Sequence, residues 1–81
     1  MEENREPSYY IKNEMERHKI NAKELAERMK MSKQYLNKYL NQYERITTKM
    51  AIKLADVFPS TTVEYWLKKQ MEYDLITIRQ N

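Results

Sequence analysis

The chain contains no cysteine and no glycine. Without cysteine, neither a disulfide nor a thiolate metal site can staple the fold. Without glycine, phosphate-cradling Gly-rich loops and Asn-Gly hairpins are excluded. Only two prolines and one histidine occur. No apolar run approaches the roughly 20 residues of a membrane span. The first residues, MEENREP, are acidic and lack the apolar stretch of a signal peptide, so a cytoplasmic protein is the expectation. No Ser-His-Asp set, HExxH or Walker pattern is present, and Glu24, Glu27 and Asp56 form no recognisable carboxylate constellation. Neither catalysis nor a cofactor or metal is expected.

What is present is one small domain's worth of helix-forming sequence. A chain of 81 residues buries only about 60–65% of its unfolded surface and is marginal alone. Its core must come from aliphatics, six Met and nine aromatics. Residues 1–7 read as a flexible acidic leader, 8–75 as the domain and 76–81 as a tail. Ser8 is expected to cap a helix from Tyr9 to His18, with Tyr10, Ile11 and Met15 on its packed side. Asn21, with Glu24 three residues on, predicts a capping box before a helix whose stripe is Ala22, Leu25, Ala26 and Met29. Ser32 predicts the cap of a third helix, Lys33 to about Leu40, and Ile46 is the expected core plug of the polar stretch that follows. Thr47 predicts the cap of a broadly apolar fourth helix from Thr48 to Phe58, stopped by Pro59. Thr62 caps a fifth from Val63 to about Asp74. Leu75 to Asn81 can extend that helix, form an edge strand or be loose. The fold class is therefore all-α, with five short helices.

The third helix carries the functional signal. From Met29 to Gln42, MKMSKQYLNKYLNQ, there is no acid, although the chain holds twelve. With Lys33 placed at 0°, Asn37, Asn41, Gln34 and Lys38 fall between about 40° and 140°, and Tyr35, Leu36, Tyr39 and Leu40 take the remaining arc. One face is apolar or aromatic; the other holds only amides and ammoniums. A merely solvated helix usually mixes signs, because Glu–Lys pairs at i,i+4 add a few tenths of a kcal/mol (about 0.2–0.5) each. From Ser32 to Lys49, four cations against the single acid Glu44 leave +3, the whole of the chain's excess. Asn and Gln amides match the edge of adenine, and Lys matches guanine acceptors and phosphate oxygens. Such a face suits the major groove of double-stranded DNA. The small Ala26 behind Leu25 lets a second helix approach across a short turn, as a helix-turn-helix requires.

The stretch NAKELAERMKMSKQYLNKYLNQYERIT resembles the XRE-like, phage-repressor-like helix-turn-helix, and KMAIKLADVFPSTTVEYWLKKQMEYDL resembles its HigA-type antitoxin subgroup. Ala51, Leu54, Ala55, Phe58, Glu64, Tyr65, Trp66, Leu67, Gln70, Tyr73, Asp74 and Leu75 sit at matching places, and the similarity runs from about Pro7 to Leu75. The resemblance implies a compact five-helix, lambda-repressor-like DNA-binding domain with its helix-turn-helix at about 22–40. It implies a homodimeric repressor of its own operon that also silences a ribonuclease-type toxin. Lys33, Gln34, Asn37 and Lys38 take the base-reading places. Asn21, Ser32, Asn41 and Arg45 take the backbone-contact places. A toxin-sequestering module with weak or lost DNA binding, and a phage-type repressor without a toxin, are the alternatives. An RNA-binding module would want an aromatic platform on the basic face, and none is present.

The departures from the family pattern are specific. Ala22 stands where a phosphate-gripping Gln is usual. Lys30, Gln42 and Pro59 stand where glycines are usual, and glycine at such places signals φ > 0. Those turns must be strained or rebuilt. His18 is read as a charge partner at a helix C-terminus rather than a metal ligand, and Trp66 as core rather than a partner hot spot. Tyr35 and Tyr39 are expected under the recognition helix, with Tyr35 also able to reach a thymine methyl or a phosphate. Tyr65, Tyr73, Leu75, Ile76 and Ile78 are more apolar bulk than the end of so short a chain can bury. Some belong to the core, and the rest are expected to form a twofold interface. Two recognition helices about 34 Å apart then meet successive major grooves.

Overall fold

The structure, a computed structural model, describes residues 5–80. Part of the expected acidic leader, residues 1–4, and Asn81 lie outside the described residues. Five helices follow in order: α1 Pro7–Arg17, α2 Ala22–Arg28, α3 Lys33–Leu40, α4 Thr48–Val57 and α5 Val63–Gln80. Among the described residues there is no strand, and no helix is long and apolar enough to cross a membrane.

Four helices start where a short polar side chain precedes the apolar period. Asn21 Oδ1 accepts from Glu24 N at 2.8 Å and Glu24 Oε1 from Asn21 N at 3.4 Å, completing the capping box. Ser32 Oγ accepts from Tyr35 N, Thr47 Oγ1 from Met50 N and Thr62 Oγ1 from Tyr65 N, at 3.1, 3.3 and 3.0 Å. The first helix differs from expectation. Ser8 is not its cap: Pro7 occupies the first turn, Glu6 is the cap residue but its side chain makes no capping hydrogen bond, and Ser8 is buried inside the helix. Pro7 fixes φ for a helix start and has no N–H to satisfy. The Ser8 N–H is instead accepted by Gln42 Oε1 at 3.1 Å, from the far end of α3. At the other end of the chain, α5 continues through Gln80.

The core gathers Ile11 of α1, Leu25, Ala26 and Met29 of α2 and its end, Leu36, Tyr39 and Leu40 of α3, Met50, Ala51 and Leu54 of α4, and Trp66 of α5. Ile20, Ile46 and Phe58 plug it from the connections. Trp66 is fully buried, and its Nε1 donates to Thr61 Oγ1 at 2.8 Å. The Glu14 carboxylate, almost fully buried, takes Arg17 and His18 at 3.5 Å each and the Ser60 hydroxyl at 3.4 Å. It thereby ties α1 to the turn before α5. His18 closes α1 and lies with its ring 5.5 Å from that of Phe58.

Among the described residues, three non-glycine residues have left-handed backbones: Lys19, Lys30 and Gln42, at φ 54°, 56° and 63°. Each directly follows a helix cap residue. In each case its N–H and the next one reach back to carbonyls of the last turn, as in Met31 N to Ala26 O at 3.0 Å and Tyr43 N to Lys38 O at 2.7 Å. These are Schellman closures built without glycine. Strain is thus accepted at Lys30 and Gln42. At Pro59 the turn is rebuilt, because proline holds φ near −65°. Thr61 donates to the Phe58 carbonyl through both N–H and hydroxyl, at 2.9 and 2.7 Å.

Candidate nucleic-acid interface

The α2–α3 turn is short because α2 closes at Lys30 and Ser32 opens α3 at once. Leu36, Tyr39 and Leu40 anchor α3 in the core. The opposite side carries Lys33, Gln34, Asn37 and Lys38, with Asn37 half-buried and the other three exposed. Among the described residues none of these four side chains has a hydrogen bond or ion pair within the chain. The face does not turn inward, and no hydrogen bond or ion pair from the described residues covers it. Their donors and acceptors are free for an external partner.

Around this face stand the other expected contacts. Asn21 and Ser32 are exposed, and each uses its side-chain oxygen as a helix cap. The Asn21 amide NH2 and the Ser32 O–H remain as outward donors. Asn41 is the exposed cap residue at the end of α3. Arg45 is different. Its Nη2 lies 2.6 Å from Asp74 Oδ2 on α5. Asp74 Oδ1 also accepts from Gln70 Nε2 at 3.0 Å, and Gln70 Oε1 accepts from the buried Ile46 N–H at 2.8 Å. This chain pins the α3–α4 connection to α5. An Arg45 contact to phosphate has to compete with Asp74.

The residues expected at a twofold interface do not share one face. On α5, Leu75 and Ile78 lie within about 40° of Met71, whereas Tyr65 and Ile76 are about 120–140° away and Tyr73 about 160° away. Met71, Leu75 and Ile78 are all exposed, at 53%, 42% and 70%. Tyr65 is half-buried against Trp66, ring centroids 5.0 Å apart, with Lys69 Nζ 5.4 Å from its ring. Tyr73 faces the Arg45–Asp74 side, lining a groove with Tyr43 and Ile78.

Sequence reasoning missed a second cationic group beside α3. Lys30 in the turn and Lys49 and Lys53 on α4 line a cavity of about 200 Å³ together with Tyr35, Tyr39 and Thr47. Tyr35 is exposed, 44%, rather than packed under its helix, and its hydroxyl lies 3.2 Å from that of Tyr39. Burial pushes the Tyr39 phenol above its usual value, and the Tyr35 hydroxyl adds to the rise, so Tyr39 stays neutral. Lys53 Nζ donates to the Met29 carbonyl at 2.9 Å and so caps the end of α2. The i,i+4 spacing of Lys49 and Lys53 was visible; their meeting with Lys30 depends on tertiary packing.

A short-turn helix pair with an unpartnered polar outer face defines a helix-turn-helix domain. A family model described as "Helix-turn-helix" matches residues 11–66. The chain belongs to that family, in its XRE-like regulatory branch. It is 40% identical over 63 residues to the uncharacterized HTH-type transcriptional regulator YbaQ of Escherichia coli K12, covering 78% of this chain and 53% of that protein. It is 33% identical over 69 residues to virulence-associated protein A' of Dichelobacter nodosus, covering 85% and 60%. A Haemophilus influenzae HTH-type regulator is 36% identical over 62 residues, covering 76% and 57%. The chain thus spans between about half and three-fifths of the length of these relatives. The family is non-catalytic. Among the described residues no three His, Cys, Asp or Glu side chains gather to hold a metal ion.

Proposed function

We propose that this domain is a sequence-specific DNA-binding transcriptional regulator, acting as a cytoplasmic repressor that reads operator DNA in the major groove as a homodimer. The observation that carries this reading is the polar face of α3. Lys33, Gln34, Asn37 and Lys38 project from a helix anchored by Leu36, Tyr39 and Leu40 and have no hydrogen bond or ion pair among the described residues. Amide and ammonium groups on such a face match base edges, while Asn21, Ser32 and Asn41 flank it as phosphate donors. The exposed stripe Met71–Leu75–Ile78 supports the twofold contact, since its 4-then-3 spacing is that of a helix-pair seam.

In its finer form the reading is a HigA-type antitoxin, which also sequesters a ribonuclease-type toxin. What supports it is that Trp66, Gln70 and Asp74, residues of the E-Y-W-L to Y-D-L resemblance, each have a defined task in joining α5 to the rest of the fold. Selection of bound sites from random duplexes tests the DNA reading. A motif with twofold symmetry is expected, and the absence of any enriched motif contradicts it. Co-expression with a small basic reading frame adjoining the gene tests the antitoxin form. A stable complex is expected, and its absence leaves a phage-type repressor.

A further inference from the structure

The cavity between α3 and α4 differs from the base-reading face in kind. It is lined by Lys30, Lys49 and Lys53, by the hydroxyl-bearing Tyr35, Tyr39 and Thr47, by Met31 and Met50, and by no acid. Among the described residues neither Lys30 nor Lys49 has a carboxylate partner, and both are exposed. Lys53 is held in place by its bond to the Met29 carbonyl. Three lysine side chains thus border one small space, and among the described residues no carboxylate pairs with any of them. The two tyrosine hydroxyls are 3.2 Å apart, so one donates to the other and the accepting hydroxyl keeps its own proton for an outside acceptor. A volume of about 200 Å³ is below the roughly 300–1,000 Å³ of sites for organic ligands. It suits one compact oxyanion.

We propose that this cavity is a seat for a single phosphate group, bound jointly by the Lys30 and Lys49 ammoniums and the hydroxyl of Tyr35. The group is either a phosphodiester of duplex DNA or a free phosphate; the first source rests on the DNA reading above, and the second does not. Both lysines neutralise the same charge, so they count as one phosphate contact rather than two. Arg45, already paired with Asp74, is by contrast the weaker phosphate ligand.

Two measurements on the full chain decide it. In the first, amide NMR shifts are followed during titration with inorganic phosphate at constant ionic strength set with chloride. Saturable shifts at Lys30, Tyr35 and Lys49 are expected, lost in Lys30→Gln/Lys49→Gln. Gln tolerates the left-handed backbone at position 30, as Gln42 shows, and thermal melting checks that the variant folds. In the second, the salt dependence of duplex binding is compared. The double variant is expected to lower the slope of log K against log salt by about one. A fall of about two means two separate phosphates and overturns the shared seat. An unchanged slope with a saturable phosphate titration assigns the seat to free phosphate. An unchanged slope with a flat titration overturns the proposal. Failure of wild-type protein to bind any duplex contradicts the DNA reading alone, and the phosphate titration then decides the seat.

Discussion

Gln42 accepts the Ser8 N–H through its side-chain oxygen at 3.1 Å while its own backbone is left-handed, at φ 63°. One residue thus closes α3 and supplies the cap that the start of α1 lacks. Lys19 and Lys30 have the same backbone without that second task. A left-handed non-glycine residue costs about 1–2 kcal/mol, and introducing glycine costs about 0.4–1 kcal/mol through the unfolded chain. Lys19→Gly is therefore expected to stabilise the domain by about 0.5–1 kcal/mol in urea denaturation. Gln42→Gly is expected to show no gain, because it orphans the Ser8 N–H. Equal gains at both positions contradict the capping role of Gln42.

Gln70 is buried, and its Oε1 is the partner of the Ile46 N–H. Gln70→Ala leaves that donor unsatisfied and is expected to cost about 1–3 kcal/mol. Asp74→Asn disturbs a pair whose arginine is largely exposed, and is expected to cost at most about 1 kcal/mol. Denaturation midpoints of the two variants check the order. A larger loss from Asp74→Asn contradicts it.

Tyr39 carries a pH dependence with a definite sign. Its folded phenol is raised above the ordinary value near 10, first by burial and then by the Tyr35 hydroxyl. A raised acid binds its proton more tightly when folded, so its contribution is complete below about pH 10 and is lost as pH climbs further. Wild-type stability is expected to fall above pH 10 more steeply than that of Tyr39→Phe. Parallel curves for the two proteins contradict this.

Much of this fold was legible because its signals are local. Asn21, Ser32, Thr47 and Thr62 each stand one residue before a helix, and short polar caps act over three residues. The anchoring side of α3 and the plug at Ile46 followed from period and polarity. What was not legible depends on distance along the chain. Ser8 reads as a cap until Gln42, 34 residues away, is seen to satisfy its N–H. Arg45 reads as a free cation until Asp74, 29 residues away, is found beside it. The left-handed Lys19 left no trace, because its signal is ordinarily a glycine and this chain has none. The lysines around the cavity come from a turn and a different helix, which no single-helix periodicity can join.

The α5 stripe makes a prediction about assembly. Leu75→Glu and Ile78→Glu alter exposed positions, so monomer folding is expected to change little, by about 0.5 kcal/mol or less. In sedimentation both are expected to be monomeric, with operator affinity reduced on the order of a hundredfold through loss of the second half-site. A dimer that survives both substitutions places the twofold contact elsewhere.

The most direct measurement is duplex affinity for wild type and Gln34→Ala, on the selected site and on a scrambled duplex at the same salt. Base reading by the outer face of α3 predicts a loss of about 1–3 kcal/mol on the selected site, relaxed preference at one base position and little change on the scrambled duplex. Equal losses on both duplexes contradict it.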